Sequence, residues 1–161
     1  MQSAPALHEY AIRFDEPVRS LLRNKGRAPV CSIGPEETVY HAIELMSENQ
    51  VGCLVVLIGG QLAGIVSERD YARKVILKGR SSQQTRVREI MSSPALFVTP
   101  EKTVAESMRL MTERRVRHLP VLEGDNVVGM LSIGDLVNWV IASQQHTIKH
   151  LHNYIAGNYP A

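Results

Sequence analysis

Apolar residues along this chain follow two patterns, one with helical spacing and one of short unbroken runs. Val39, Ala42, Ile43 and Met46 recur at intervals that line one face of a helix, and Val104, Met108 and Met111 do the same further on. Cys53 to Ile58 and Gln61 to Val66 are apolar runs separated by Gly59-Gly60, which predicts a strand–turn–strand hairpin. Leu119 to Leu122 and Val127 to Leu131 predict a second one around Glu123-Gly124-Asp125-Asn126. Ser32-Ile33 and Phe97-Val98 read as short strands stopped by the turn residues Gly34-Pro35 and Thr99-Pro100. A further helix is expected near Asp70 and another near Asp135. The order β-α-β-β-α therefore occurs twice.

The two occurrences are copies. A shift of 65 positions carries Pro35, Glu36, Thr38 and Val39 onto Pro100, Glu101, Thr103 and Val104. The same shift carries Leu45, Met46 and Glu48 onto Leu110, Met111 and Glu113, and Val51, Leu54 and Val56 onto Val116, Leu119 and Val121. It also carries Gly64, Ser67 and Asp70 onto Gly129, Ser132 and Asp135. Val18 to Leu22 and Val87 to Met91 precede the units and read alike, but at a shift of 69, so the first unit has four extra residues before its first strand. The expected organisation is an arm at 1–17, a first repeat at 18–80, a polar linker at 81–86, a second repeat at 87–143 and a C-terminal helix or tail at 144–161. A unit of about 60 residues is marginal alone, so the two should pack sheet against sheet as one α/β (α+β) module.

Composition narrows the function classes. The chain has 161 residues, 44% of them hydrophobic and 21% charged, which suits a globular protein with one core. A net charge of +2 argues for neither nucleic acid nor a membrane surface as partner, although Arg114, Arg115 and Arg117 gather locally. Cys31 and Cys53 show no Cys-x-x-Cys spacing, so reduced thiols in a cytoplasmic protein are expected. No apolar run approaches the ~20 residues that span a bilayer. The first residues have neither the basic start nor the apolar stretch of a secretory signal.

The sharpest chemical feature is Gly64-Ile65-Val66-Ser67-Glu68-Arg69-Asp70 and its mirror Gly129-Met130-Leu131-Ser132-Ile133-Gly134-Asp135. Ser with an acid three residues on resembles a capping box. The same geometry suits a nucleotide: a helix N-terminus offers N–H groups to phosphate, and Asp can accept both hydroxyls of a ribose. One copy favours the cap. Two copies at the repeat shift, each at a strand-to-helix junction, favour the nucleotide.

Pro-Glu-x-Thr-Val before the first helix of each repeat, Arg117-His118-Leu119-Pro120-Val121 and the paired Ser-x-x-Asp resemble the CBS domain, and two in tandem resemble a Bateman module. Ser67-Glu68-Arg69-Asp70-Tyr71-Ala72-Arg73-Lys74 and the tail Leu151 to Gly157 are similar to a stand-alone subgroup of bacteria and plant organelles. The resemblance implies a regulatory protein with an adenosine ligand: AMP first, with ATP, ADP, NAD(H) or S-adenosylmethionine as alternatives. It also implies homodimers of stacked modules and an unidentified regulated protein. In the family each cleft joins the Ser-x-x-Asp helix of one repeat to the strand start of the other. Carried over, the first cleft takes Ser67, Arg69, Asp70, Arg73, Arg117 and His118; Ala95 and Leu96 are expected as nucleotide contacts without assignment to a cleft. The second takes Ser132 and Asp135 with Gly52 and Cys53 and shows no phosphate clamp, so phosphate affinity should concentrate in the first.

His146 and His150 are four apart and His152 follows, a spacing a metal could use, but no acid or third ligand is obvious and exposed helical His is far commoner, so no metal is expected. Leu136, Val137, Trp139, Val140 and Ile141 read as packing. Neighbouring Glu68 and Asp70 point apart on a helix start and make no acid–base pair. Without a nucleophile set, the chain reads as a non-enzyme. The alternatives are a constitutive interaction scaffold and, from the plant members of the subgroup, a thioredoxin-type redox-regulation partner.

Overall fold

The computed structural model describes residues 14–26 and 29–156; most of the expected arm and the last residues of the tail lie outside them. The first repeat contains β1 (Ser32–Ile33), α2 (Val39–Asn49), β2 (Cys53–Ile58), β3 (Gln61–Ser67) and α3 (Glu68–Lys74), and is preceded by α1 (Val18–Lys25). The second contains α4 (Val104–Arg114), β4 (His118–Glu123), β5 (Asn126–Ser132) and α5 (Ile133–Ile155). Thr38 and Thr103 cap α2 and α4, their hydroxyls accepting from the amides of His41 and Glu106 at 3.1 Å. The stripes Val39, Ala42, Met46 and Val104, Met111 face inward, as their spacing predicts.

Each hairpin pairs antiparallel and slips register at the same place, between Val56 and Leu57 and between Val121 and Leu122. Gly59 and Gly60 both turn with positive φ, at 56° and 80°, the backbone that a two-residue hairpin loop requires. In the first sheet β1 runs parallel to β2, with Val55 N donating to the Cys31 carbonyl at 3.1 Å. The second sheet departs from expectation: Phe97-Val98 forms no strand, only an isolated bridge from Val98 to Val121. The residue matching Val55 is Pro120, which has no N–H, so the equivalent ladder bond cannot form. The two sheets meet along β3 and β5.

The cores are exchanged between the repeats. Val87 and Ile90 are buried with Val39, Leu54 and Val56 of the first repeat, while Val18 and Leu21 are buried with Val104, Leu119 and Val121 of the second. Val87 N donates to the Glu37 carbonyl and Arg88 N to Pro35; Val18 N donates to Lys102 and Arg19 N to Pro100, all at 2.8–2.9 Å. These acceptors are themselves 65 positions apart. Each introductory segment therefore keeps the register of the repeat it docks on, not of the repeat it precedes. The expected linker is held down as well: Thr85 is buried, and its carbonyl accepts from Val39 N at 2.9 Å.

The C-terminal segment continues α5 through residue 143 without a break. Leu136 is buried and Trp139 packs on the second core, but Val137 and Ile141 stand exposed, contrary to the expected packing face. Helical rotation puts positions 136, 139 and 140 together and turns 137 and 141 away. Among the described residues no helix is long and apolar enough to cross a membrane.

Candidate functional site

Both Ser-x-x-Asp segments open helices, two residues earlier than expected, because Ser is the cap. Ser67 Oγ accepts from Asp70 N at 3.2 Å, and Asp70 Oδ2 accepts from Ser67 N and Ser67 Oγ, each at 3.0 Å. Ser132 Oγ accepts from Asp135 N at 3.1 Å, and Asp135 Oδ2 accepts from Ser132 N at 2.8 Å. The next amides, Glu68 N and Ile133 N, donate to the carbonyls of Gly52 and Arg117, which ties each helix start to the strand start of its own repeat. The carboxylates also hold cations: Lys74 Nζ lies 2.9 Å from Asp70 Oδ1, and Lys25 Nζ lies 2.9 Å from Asp135 Oδ2.

A cavity of about 1170 Å³ lies at the second helix start. It brings Ser132 to the strand start of the first repeat, Val51, Gly52 and Cys53, which is the cross-repeat pairing expected for the second cleft. Val30, Cys31, Val128 and Met130 add apolar wall, and Arg19, Arg23 and Lys25 of α1 add charge. The cleft expected to be neutral at its edge is thus lined by basic side chains. The basic residues were missed because α1 precedes the first repeat in the chain but docks on the second. Val30 and Cys31 were within reach of the sequence, being Ala95 and Leu96 shifted by 65.

His118 is placed differently from expectation. Expected in the first cleft, it lines this cavity, and its Cε1 lies 3.8 Å from where a Cβ on Gly52 would sit, beside the Glu68 carboxylate. As Gly52 carries no side chain, the ring can lie against the backbone there. Burial lowers the His118 pKa, opposed by Asp135 and Glu68 and assisted by Lys25 and Arg117.

In the first cleft, Arg69 Nη1 donates to the Arg115 carbonyl at 3.1 Å, which links α3 to the C-cap of α4 in the second repeat. Arg73 and Arg117 are exposed, and among the described residues no hydrogen bond or ion pair joins either to Ser67 or Asp70. Ala95 is half-buried, and Leu96 packs on the second core. Buried Cys53 has its thiol pKa pushed up to about 12, by loss of hydration and then by the Asp70 charge. Among the described residues no group of three or more His, Cys, Asp or Glu could hold a metal ion; the His150 side chain lies outside them.

The likeness to known proteins covers most of the chain. A family model described as the CBS domain matches residues 18–76 and again 87–142. The mitochondrial CBS domain-containing protein CBSX3 of Arabidopsis thaliana is 40% identical over 150 residues, 88% of this chain and 73% of the relative. A solved CBS domain structure superposes with a TM-score of 0.74 at 42% identity, covering 78% of this chain and 98% of its own. A structure from Burkholderia ambifaria MC40-6, described as a signal-transduction protein with CBS domains, gives a TM-score of 0.72 at 49% identity, over 79% of this chain and 93% of that one.

Proposed function

The chain belongs to the CBS domain family as a tandem pair, and on that premise we propose that it is a non-catalytic regulatory module holding an adenine nucleotide between its repeats. The observation that carries this reading is the cross-repeat cavity, where Ser132, the cap of α5, faces the strand start of the other repeat, with the Asp135 carboxylate bonded to the Ser132 amide beside it. The helix N-terminus attracts phosphate, and a carboxylate at its third position can accept ribose hydroxyls. Ser67 and Asp70 offer the same groups at the first cleft. The cavity also exceeds the ~300–1,000 Å³ of ordinary small-ligand pockets, which leaves room for a whole nucleotide.

AMP leads the ligand set, with ADP, ATP, NAD(H) and S-adenosylmethionine as its rivals. The proposal includes a homodimer of stacked modules, a regulated protein as downstream partner and a cytoplasmic location. Burial of Cys53 and its raised pKa argue against that thiol as a redox-exchange centre.

A thermal-shift panel of AMP, ADP, ATP, NAD, NADH and S-adenosylmethionine tests the reading. A ligand at ~100 times its dissociation constant adds about 2.7 kcal/mol to stability. At least one should raise the melting temperature, and Asp70→Ala with Asp135→Ala should abolish the rise. A flat panel would favour the constitutive scaffold.

A further inference from the structure

Three cations from two turns of α1 line the cavity at Ser132: Arg19, Arg23 and Lys25. They do not stand alike. Arg19 is held by Glu101 at 2.6 Å and Glu123 at 3.0 Å, a clamp that fixes α1 on the second repeat. Lys25 Nζ bridges Asp135 Oδ2 at 2.9 Å and the Met130 carbonyl at 3.0 Å. Arg23 forms no ion pair among the described residues. His118 contributes little positive charge at neutral pH, because burial favours its neutral form. The cationic character of this cavity therefore comes from α1.

Resting on the nucleotide reading of this cleft, we propose that Arg23 and Lys25 are its phosphate end and select a 5′-phosphorylated adenine nucleotide over the uncharged nucleoside, more strongly as the phosphate charge rises. Lys25 Nζ sits on the carboxylate that a ribose would use. A ribose on Asp135 displaces the ammonium, which then needs another anion. A nucleoside supplies none, so it binds against the ion pair. A 5′-phosphate accepts Lys25 and adds the guanidinium of Arg23, whose planar fork suits phosphate oxygens. The Lys25–Asp135 pair thus acts as a filter on ligand charge, with Lys25 passing from one anion to the other.

Calorimetric titration with adenosine, AMP and ATP tests this, in an Asp70→Ala background so that the other cleft contributes least. ATP should bind at least tenfold more tightly than adenosine. The further change Arg23→Gln with Lys25→Gln should weaken ATP at least tenfold while adenosine binding is unchanged or tighter, because Asp135 is no longer occupied. Equal weakening of both ligands, or unchanged ATP affinity, would overturn the proposal. On the unaltered protein, rising ionic strength should weaken ATP more than adenosine; parallel losses would overturn it without any substitution in α1. Failure of all three compounds to bind the unaltered protein would instead sink the nucleotide reading itself.

Discussion

Asp70 and Asp135 each serve two partners with one carboxylate. Each closes the capping box at the start of its helix, and each holds a lysine, Lys74 in one case and Lys25 in the other. The lysines differ in origin, since Lys74 is a local i+4 partner and Lys25 arrives from α1. His118 reports on the same neighbourhood. It faces Asp135 of α5, Glu68 of α3, Lys25 of α1 and its neighbour Arg117, and burial outweighs the carboxylates to lower its pKa from 6.5. A histidine with a lowered native pKa binds its proton more readily when unfolded. Its contribution to stability is therefore complete above about 6.5 and is lost as pH falls from there toward the native pKa. Urea midpoints from neutral to mildly acidic pH should fall more steeply for the unaltered protein than for His118→Gln. Parallel curves would show that the ring's burial has no energetic consequence.

Among the elements, α1 departs furthest from its place in the chain. It precedes the first repeat, yet Val18 and Leu21 complete the second core, and Val87 and Ile90 repay the exchange. The docked segments also continue differently. Ser92 exchanges backbone hydrogen bonds with Ile65 across Gly64, where a Cβ would sit 2.6 Å from the Ser92 carbonyl oxygen. At the matching Gly129 the neighbour is the Leu22 side chain, and the Met130 carbonyl receives Lys25. Leu21→Ala should cost about 2–4 kcal/mol, and hydrogen exchange should then quicken in β4 and β5 before β2 and β3. Ile90→Ala should show the reverse. Exchange quickening in the repeat nearer in sequence would contradict the swap.

For the molecule as a whole, the exchange couples two units that would each be marginal alone. Each core lacks two buried apolar residues without the other half of the chain. Unfolding should therefore be a single transition with equal calorimetric and van't Hoff enthalpies. A fragment of residues 87–161, which lacks Val18 and Leu21, should show no cooperative melt by circular dichroism. A cooperative melt from that fragment would mean that the second repeat folds without α1.

The repeat, the hairpins, the helix stripes and the paired Ser-x-x-Asp starts were legible in the sequence because each depends on contacts within a few residues. Periodicity fixes which face of α2 or α4 is buried, and a serine three residues before an aspartate caps whatever helix follows. The shift of 69 between Val18 and Val87, against 65 elsewhere, was visible, but its meaning was not. That mismatch follows from docking on the other repeat, a long-range choice made by which apolar surface lies open. The same choice carries Arg23 and Lys25 to the cavity at Ser132, and His118 to a wall it was not expected to line. Pro120 lies between the two cases: its missing N–H is local chemistry, yet the lost strand at Phe97-Val98 shows only once the sheet partner is known. Charge in a cleft belongs to whichever elements meet there, and that meeting is settled by tertiary packing.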